Sequence, residues 1–256
     1  MDTGEPGGSG LIGATKTSFG IVEHLREEGT CGVSEVSAEL GISKSTAHSH
    51  LQTLAHLGYV VRVDGEYALS LKFLDLGDHA RTRHALYHAS IGEMDELVDA
   101  VGERGQVMVE ENGRGVYIYQ VKSEQGLQTD SHIGTTVDLH TTAVGKSYLA
   151  FCDEARRDDI LAGDLPQLTS KTIDDREALE TELAAIRERG YAFNDEERIT
   201  GMRAVGAPIL SDDETILGSI SVSGPTTRMK GEWYHKDVPE MVTQAARVIG
   251  IRATYS

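Results

Sequence analysis

Between Ser43 and Gln52 the chain sets out Lys44, Ser45, His48, Ser49 and Gln52 at offsets of three and four, a spacing that places them on one face of a helix. One cation and several short hydrogen-bonding side chains on such a face suit phosphates and base edges. Ala47, Leu51, Leu54 and Leu57 recur on the opposite side, which is expected to pack inward. Any small helical domain has a polar face, so the spacing alone leaves a merely solvated surface open. Charge placement favours the first reading. Leu40–Val63, 24 residues, contains no Asp or Glu, where about four would be expected from 41 in 256 residues. The same window holds Lys44, Arg62 and three histidines, and a surface that meets phosphates must exclude carboxylates.

A second set of residues points to a small anion. Asp138 or Thr141 is placed to cap a helix beginning near Thr142, leaving the N–H groups of residues 142–144 for a ligand carboxylate. Further on, Ser219, Ser221 and Ser223 share one face of a strand and Ile220 and Val222 the other, so the serines face either solvent or a polar cavity. Other signals fail on their own chemistry. Gly145-Lys146-Ser147 ends like a phosphate-binding loop but has His140 where the first Gly is required. Ser221 lacks the preceding Gly of a nucleophile elbow. His84 and His88 stand four apart without a third ligand nearby, which leaves them as exposed linker histidines. Tyr87 and Tyr117 read as core or interface aromatics, and no cofactor or metal is called for.

The elements that must carry these residues follow from periodicity. Thr15–Glu28, with Phe19, Ile21, Val22 and Leu25 at helical spacing, ends at Gly29. Val33–Leu40 is a short helix, Gly41-Ile42 a turn, and Ser43 the N-cap of a third helix running to about Leu57, the small residues Ser37 and Ala47 fitting a close crossing of the two helices. Strands at 59–63 and 66–69 flank Asp64-Gly65, a hairpin dipeptide. Three helices and a hairpin make a winged helix-turn-helix. Leu71–Glu103 is helical, with a break expected near Ser90–Gly92. Beyond it, strands are predicted at Gln106–Glu111, Val116–Val121, Met202–Leu210 and Ile216–Ser223, and helices at Thr142–Phe151, Asp174–Arg189 and Lys236–Arg252. The absence of a βαβ rhythm implies an α+β domain on an antiparallel sheet.

Composition bounds the rest. A length of 256 residues suggests two domains. With 24 Lys+Arg against 41 Asp+Glu, the net charge of −17 argues against a basic nucleic-acid coat protein or a polybasic membrane binder. Residues 1–80 alone hold five cations and eleven anions, so any attraction to DNA must be local. The acid excess, together with Arg outnumbering Lys, fits adaptation to molar salt; an ordinary acidic protein is the alternative. Cys31 and Cys152 read as buried thiols of a reducing compartment. No run approaches a membrane span, and the Gly-rich start resembles no secretion signal, so a cytoplasmic location without membrane contact is expected.

Several motifs in this order resemble the IclR-type transcription regulators: Gly41-Ile42-Ser43-Lys44-Ser45-Thr46, Tyr67-Ala68-Leu69, Leu139-His140-Thr141-Thr142-Ala143-Val144-Gly145-Lys146 with Leu149-Ala150, Gly190-Tyr191, Asp195-Glu196-Glu197, Gly201, Ala207-Pro208 and Ser221-Val222-Ser223-Gly224-Pro225. The resemblance runs from about Thr15 to the C-terminus. It implies an α+β chain with a flexible tail (1–12), a winged helix-turn-helix (13–70), a helical linker (71–88) and a GAF-like effector-binding domain (89–256). It implies a homodimer or dimer of dimers on double-stranded operator DNA, with affinity altered by a small-molecule effector such as an organic acid. DNA contacts are expected from Ser43, Lys44, Ser45, Thr46, His48, Ser49, Gln52 and Arg62. The family's pocket positions fall on Ala143, Val144, Asn194, Met202, Ala204, Ser221 and Ser223. Ser49 stands where the family usually has Arg, Asn194 where Asp is usual and Ala204 where Cys is common, so neither operator sequence nor ligand carries over. Asn194 in place of an acid makes a more anionic ligand tolerable. The competing function is a small-molecule hydrolase or sensor module whose N-terminal domain only dimerises.

Overall fold

The computed structural model describes residues 10–127 and 129–255, and the chain divides into two compact units, 1–80 and 81–256. Most of the tail expected over 1–12 lies outside the described residues. In the first unit α1 (Gly13–Glu28), β1 (Thr30–Cys31), α2 (Val33–Glu39), α3 (Lys44–His56), β2 (Val60–Val63) and β3 (Glu66–Leu69) follow in order, the strands forming an antiparallel sheet in the order β1-β3-β2. Ile21, Val22 and Leu25 of α1 and Ala47, Leu51 and Leu54 of α3 meet Val36, Val60 and Tyr67 in one buried cluster. The turn into α3 is fixed by local bonds. Ser37 donates its hydroxyl to the Ile42 carbonyl at 2.7 Å, and Ser43 Oγ accepts the Thr46 N–H at 3.1 Å, capping the helix. Asp64 and Gly65 both take positive φ, 52° and 94°, as the tight hairpin requires.

Two expected core residues stay outside. Phe19 is 61% exposed and Leu57 52%, because Phe19 sits past the edge of the stripe made by Ile21, Val22 and Leu25, and Leu57 lies beyond the last turn of α3. Both line an apolar groove of about 610 Å³ with Leu54, Tyr59, Phe73 and Leu76.

Helix α4 (Lys72–Thr82) runs across the boundary between the units, and α5 (Ala85–Val101) follows. The break thus falls at Arg83-His84 and not near Ser90–Gly92. Ser90 lies within α5, and its buried hydroxyl is satisfied by donating to the Leu86 carbonyl at 2.5 Å. Next come β4 (Arg104–Glu111), β5 (Arg114–Lys122), β6 (Thr136–Val137), a 3₁₀ turn at Leu139–Thr141, α6 (Ala143–Phe151), α7 (Glu154–Ile160), α8 (Arg176–Arg189), β7 (Ala192–Asp195), β8 (Met202–Leu210), β9 (Ile216–Pro225), a π-helical turn at Trp233–Asp237 and α9 (Val238–Thr254). The six strands form one antiparallel sheet ordered β6-β5-β4-β9-β8-β7. β1, β6, β7 and α7 are too short for a periodic signal and are absent from the sequence expectation.

Alternation along β9 gives the sheet two different faces. Ile220 and Val222 join Leu97 of α5 and Val242 and Ile249 of α9 in one core, while a second core gathers Met108 and Tyr117 with Leu149 of α6 and Leu179, Leu183 and Ile186 of α8. Gly206 of β8 lets the strand touch the start of α6: a Cβ there would lie 2.7 Å from the carbonyl of Ala143 and 2.8 Å from the Val144 nitrogen. Gly206→Ala is therefore expected to destabilise the second unit by about 1–3 kcal/mol. Chemical unfolding followed through Trp233, the chain's one tryptophan, checks this; an unshifted midpoint would contradict the close contact.

Candidate DNA interface and effector pocket

On α3 the residues Lys44, Ser45, His48, Ser49 and Gln52 are all exposed, and Ala47, Leu51 and Leu54 are buried beneath them. Ser43 and Thr46 are exposed too, but their hydroxyls bond each other at 2.8 Å, and Ser43 Oγ also lies 2.8 Å from Ser45 Oγ. They shape the helix start as well as offering hydroxyls. Ser49 stands at the edge of the face, where it also lines the apolar groove. His56 lies one turn beyond Gln52 and extends the face, a position the spacing argument passed over. Arg62 of β2 is exposed, yet it is held: Nη2 donates to the Tyr67 hydroxyl at 2.7 Å, and the guanidinium carbon lies 4.9 Å from the ring centroid. Asp64 and Glu66 put carboxylates at the tip of the hairpin, leaving α3 and Arg62 as the carboxylate-free surface.

In the second unit Ala143, Val144, Asn194, Met202, Ala204, Ser221 and Ser223 all line one cavity of about 50 Å³, together with Gln106, Tyr117, Ser131, Thr142 and Arg198. Ser219 and Ser221 are buried and Ser223 half-buried, so this face of β9 is turned toward the cavity and meets solvent only at its Ser223 end. The serines face inward because helices cover both sides of the sheet. The helix cap differs from both sequence candidates. Thr142 is the N-cap, its Oγ1 accepting the Gly145 N–H at 3.0 Å, while Thr141 donates to the Asp138 carbonyl and Asp138 pairs with Arg114 at 2.8 Å. Ala143 and Val144 thus form the first turn of α6, where N–H groups lack internal acceptors. Asn194 is committed to the backbone: it donates to the Thr141 carbonyl at 2.7 Å and accepts the Glu197 N–H at 3.2 Å. It braces the pocket wall, a role that its lack of charge alone does not suggest. No Asp or Glu lines the cavity, whereas two arginines do. Burial pushes the Tyr117 hydroxyl up to about 12, keeping it neutral at the wall.

A buried ion pair that no local spacing reveals ties α6 to the segment after β7. Lys146 Nζ, one turn into α6, donates to both oxygens of Glu197 at 2.6 and 2.7 Å, with side chains only 1% and 10% exposed. Burial pushes the Glu197 carboxyl above its ordinary range, against the pull of Lys146. The family motif contains both residues, but only the fold brings them together across 51 positions. Engaged in this way, Lys146 is no phosphate-loop lysine. His84 precedes α5 and His88 is exposed, bonding the Thr82 carbonyl, and among the described residues no cluster suits a metal ion. Tyr87 packs edge-on against Tyr119, with ring centroids 6.1 Å apart, and Cys31 and Cys152 are buried free thiols. No helix among the described residues is long and apolar enough to cross a membrane.

A winged helix-turn-helix followed by a sheet domain with its own polar cavity defines a transcription regulator with a separate sensing module. Comparison with known proteins makes the class specific. The model of the bacterial transcriptional regulator IclR C-terminal domain matches residues 79–251 and that of the IclR helix-turn-helix domain residues 18–64. The probable HTH-type transcriptional regulator ArcR of Halobacterium salinarum is 34% identical over 237 residues, covering 91% of this chain and 90% of that protein. The crystal structure of the Thermotoga maritima IclR superposes with a TM-score of 0.81 at 28% identity, covering 96% of this chain and all of that one. An IclR homologue of Microbacterium hydrocarbonoxydans, complexed with 4-hydroxybenzoate, shares the fold with a TM-score of 0.82 at 19% identity, covering 95% of this chain and 100% of that one. The chain belongs to the IclR family of transcriptional regulators.

Lys146→Met leaves the Glu197 carboxylate buried without its partner and is expected to cost about 3–5 kcal/mol. The double variant Lys146→Met/Glu197→Leu should recover most of that loss, because it removes the stranded charge as well. Urea unfolding of the three proteins measures it; equal loss in single and double variants would show that the pair is not what holds α6 to the 194–197 segment.

Proposed function

We propose that the exposed face of α3, with Arg62 beside it, reads operator DNA, and that a small organic acid in the cavity of the second unit changes the affinity. The observation that carries this reading is the distribution of carboxylates: a chain with 41 acids has none from Leu40 to Val63 and none in the lining of the cavity. Both ligands are then anions, and each surface is locally clear of like charge. Ser43, Lys44, Ser45, Thr46, His48, Ser49, Gln52 and Arg62 make the DNA contacts. Ala143 and Val144 offer first-turn N–H groups and Ser221 and Ser223 hydroxyls, with Met202 and Ala204 giving shape and Asn194 holding the wall. The relative bound to 4-hydroxybenzoate supports a carboxylate as the ligand class.

The cavity is far smaller than the roughly 300–1,000 Å³ of ordinary ligand sites. An acid larger than a few atoms therefore enters only if the wall moves, and the Arg198–Asp130 pair (3.1 Å), formed by a lining arginine and an exposed aspartate, is the contact to give way. Such a ligand favours one state of the domain over another, which is what control of a distant equilibrium requires. We assign the segment 71–88 as the linker that carries the change, the winged helix-turn-helix to 13–70 and the effector domain to 89–256. The acting species is a homodimer or dimer of dimers. The apolar groove in the first unit, edged by Phe19 and Leu57, is what a second copy would cover.

A duplex from the region upstream of the chain's own gene, titrated by fluorescence anisotropy, tests the reading head. Lys44→Ala/His48→Ala should weaken binding at least about tenfold; indifference to both changes would refute the assignment. With Lys44 and Arg62 as its cations, each reading head should give a slope of log affinity on log KCl of about −2, so binding persists at high salt. Phe19→Asp should halve the sedimenting mass and weaken operator binding, and an unchanged mass would place the interface elsewhere.

A further inference from the structure

The pairing of β4 with β9 sets Arg104 opposite Ser223 and Gln106 opposite Ser221. Directly paired residues project to the same face, so Arg104 leaves the sheet on the face that carries the cavity. It is 2% exposed. Its guanidinium donates to the Thr129 hydroxyl and to the main-chain carbonyl of Ser131, two residues that line the cavity, and its Nε is buried without an acceptor. Among the described residues no carboxylate pairs with it. Glu103, its neighbour, is taken by Arg228 at 2.5 and 2.8 Å, and Asp130, between Thr129 and Ser131, is taken by Arg198. Burial lowers the affinity of Arg104 for its proton, yet a guanidinium stays charged in proteins. Arg104 itself does not line the cavity; directly behind its Thr129 and Ser131 lining lies a buried cation that no carboxylate among the described residues pairs with, an arrangement that is costly unless an anion completes it.

We infer that Arg104 is the charge-selecting residue of the effector pocket: the carboxylate of the ligand replaces Thr129 and Ser131 at the guanidinium and pairs with it through two parallel N–H···O bonds. This rests on the reading of the cavity as the effector site and adds to it the group that tells an acid from a neutral molecule of the same shape. A planar fork matches a carboxylate in a way that a lysine ammonium does not. The exchange frees the 129–131 segment, whose Asp130 is tied to Arg198, so recognition of charge and opening of the wall become one event. None of the seven pocket positions expected from the family pattern supplies a positive charge, and the two lining arginines, Arg198 and Arg203, are already paired with Asp130 and Asp195; Arg104, behind the lining, has no carboxylate partner among the described residues.

The test is a thermal-shift and calorimetric comparison on the full chain at constant ionic strength, using acetate, lactate, benzoate and 4-hydroxybenzoate, each against its amide. At least one acid should raise Tm where its amide does not. Arg104→Met should abolish that shift and weaken the acid at least about tenfold, while its Tm without ligand equals or exceeds the parent's, because an uncompensated charge has gone. Arg104→Lys should keep a weakened response. Amides as effective as acids, no stabilising acid at all, or an acid response that survives Arg104→Met would each overturn the inference. So would a drop in ligand-free Tm with the acid response intact, which assigns Arg104 to strapping the 129–131 segment. Ser221→Leu separates the two layers: hits lost there but kept in Arg104→Met leave the pocket standing without its charge selector, and hits indifferent to Ser221→Leu remove the pocket itself.

Discussion

A phosphate or carboxylate approaching this chain meets a net charge of −17, and the proposed binding of DNA and of an organic acid depends on two places where that field is interrupted. Like charges a few ångströms apart repel strongly, and the effect grows as water is excluded. At a distance the same charges matter little in concentrated salt, because the screening length falls to about 3 Å at 1 M. Local composition therefore decides. Along α3 the nearest substitute for an acid is a serine, threonine, histidine or glutamine, and the cavity is walled by hydroxyls, amides, apolar groups and arginine. The acids lie elsewhere, at the surface or, like Glu103 and Glu197, buried against a cation. A strongly acidic chain and a DNA-binding regulator are compatible for this reason.

The sheet of the second unit makes the cavity possible by presenting different chemistry on its two faces. Ile220 and Val222 bury against α5 and α9, and the intervening serines have nowhere to go but inward under α6. Gly206 lets β8 touch the first turn of α6, so that free N–H groups and serine hydroxyls converge. The Lys146–Glu197 pair and the Asn194 amide then tie α6 to the chain that follows β7. What looks like a polar hole in a core is braced by apolar packing on one side and buried charge on the other.

Much of this was legible because the signals were local. Ser43 as a cap, Asp64-Gly65 as a turn, and the alternation on β9 each depend on residues within a few positions, and each appears as expected. The winged helix-turn-helix and the antiparallel-sheet domain follow from them. What escaped was long-range or phase-dependent. Phe19 and Leu57 fit the helical period but sit at the edge of the buried arc, so periodicity alone cannot tell groove from core. The capping threonine was misplaced by one residue because a 3₁₀ turn intervenes, and the break after α4 gave no Gly or Pro to mark it. Lys146 and Glu197 find each other across 51 positions, and Arg104 precedes the stretch that reads as a strand. Buried charges are invisible to patterning, since the same residue types normally mark the surface.

In the proposed mechanism, occupancy of the cavity by an organic acid and occupancy of α3 by DNA are thermodynamically linked. The direct measurement is the operator dissociation constant of the full chain at fixed KCl, with and without a saturating acid that binds it, repeated with Ser221→Leu. A change of about fivefold or more is expected in the parent and none in the variant. Equal affinities with and without the acid in the parent, at proven saturation, would contradict it.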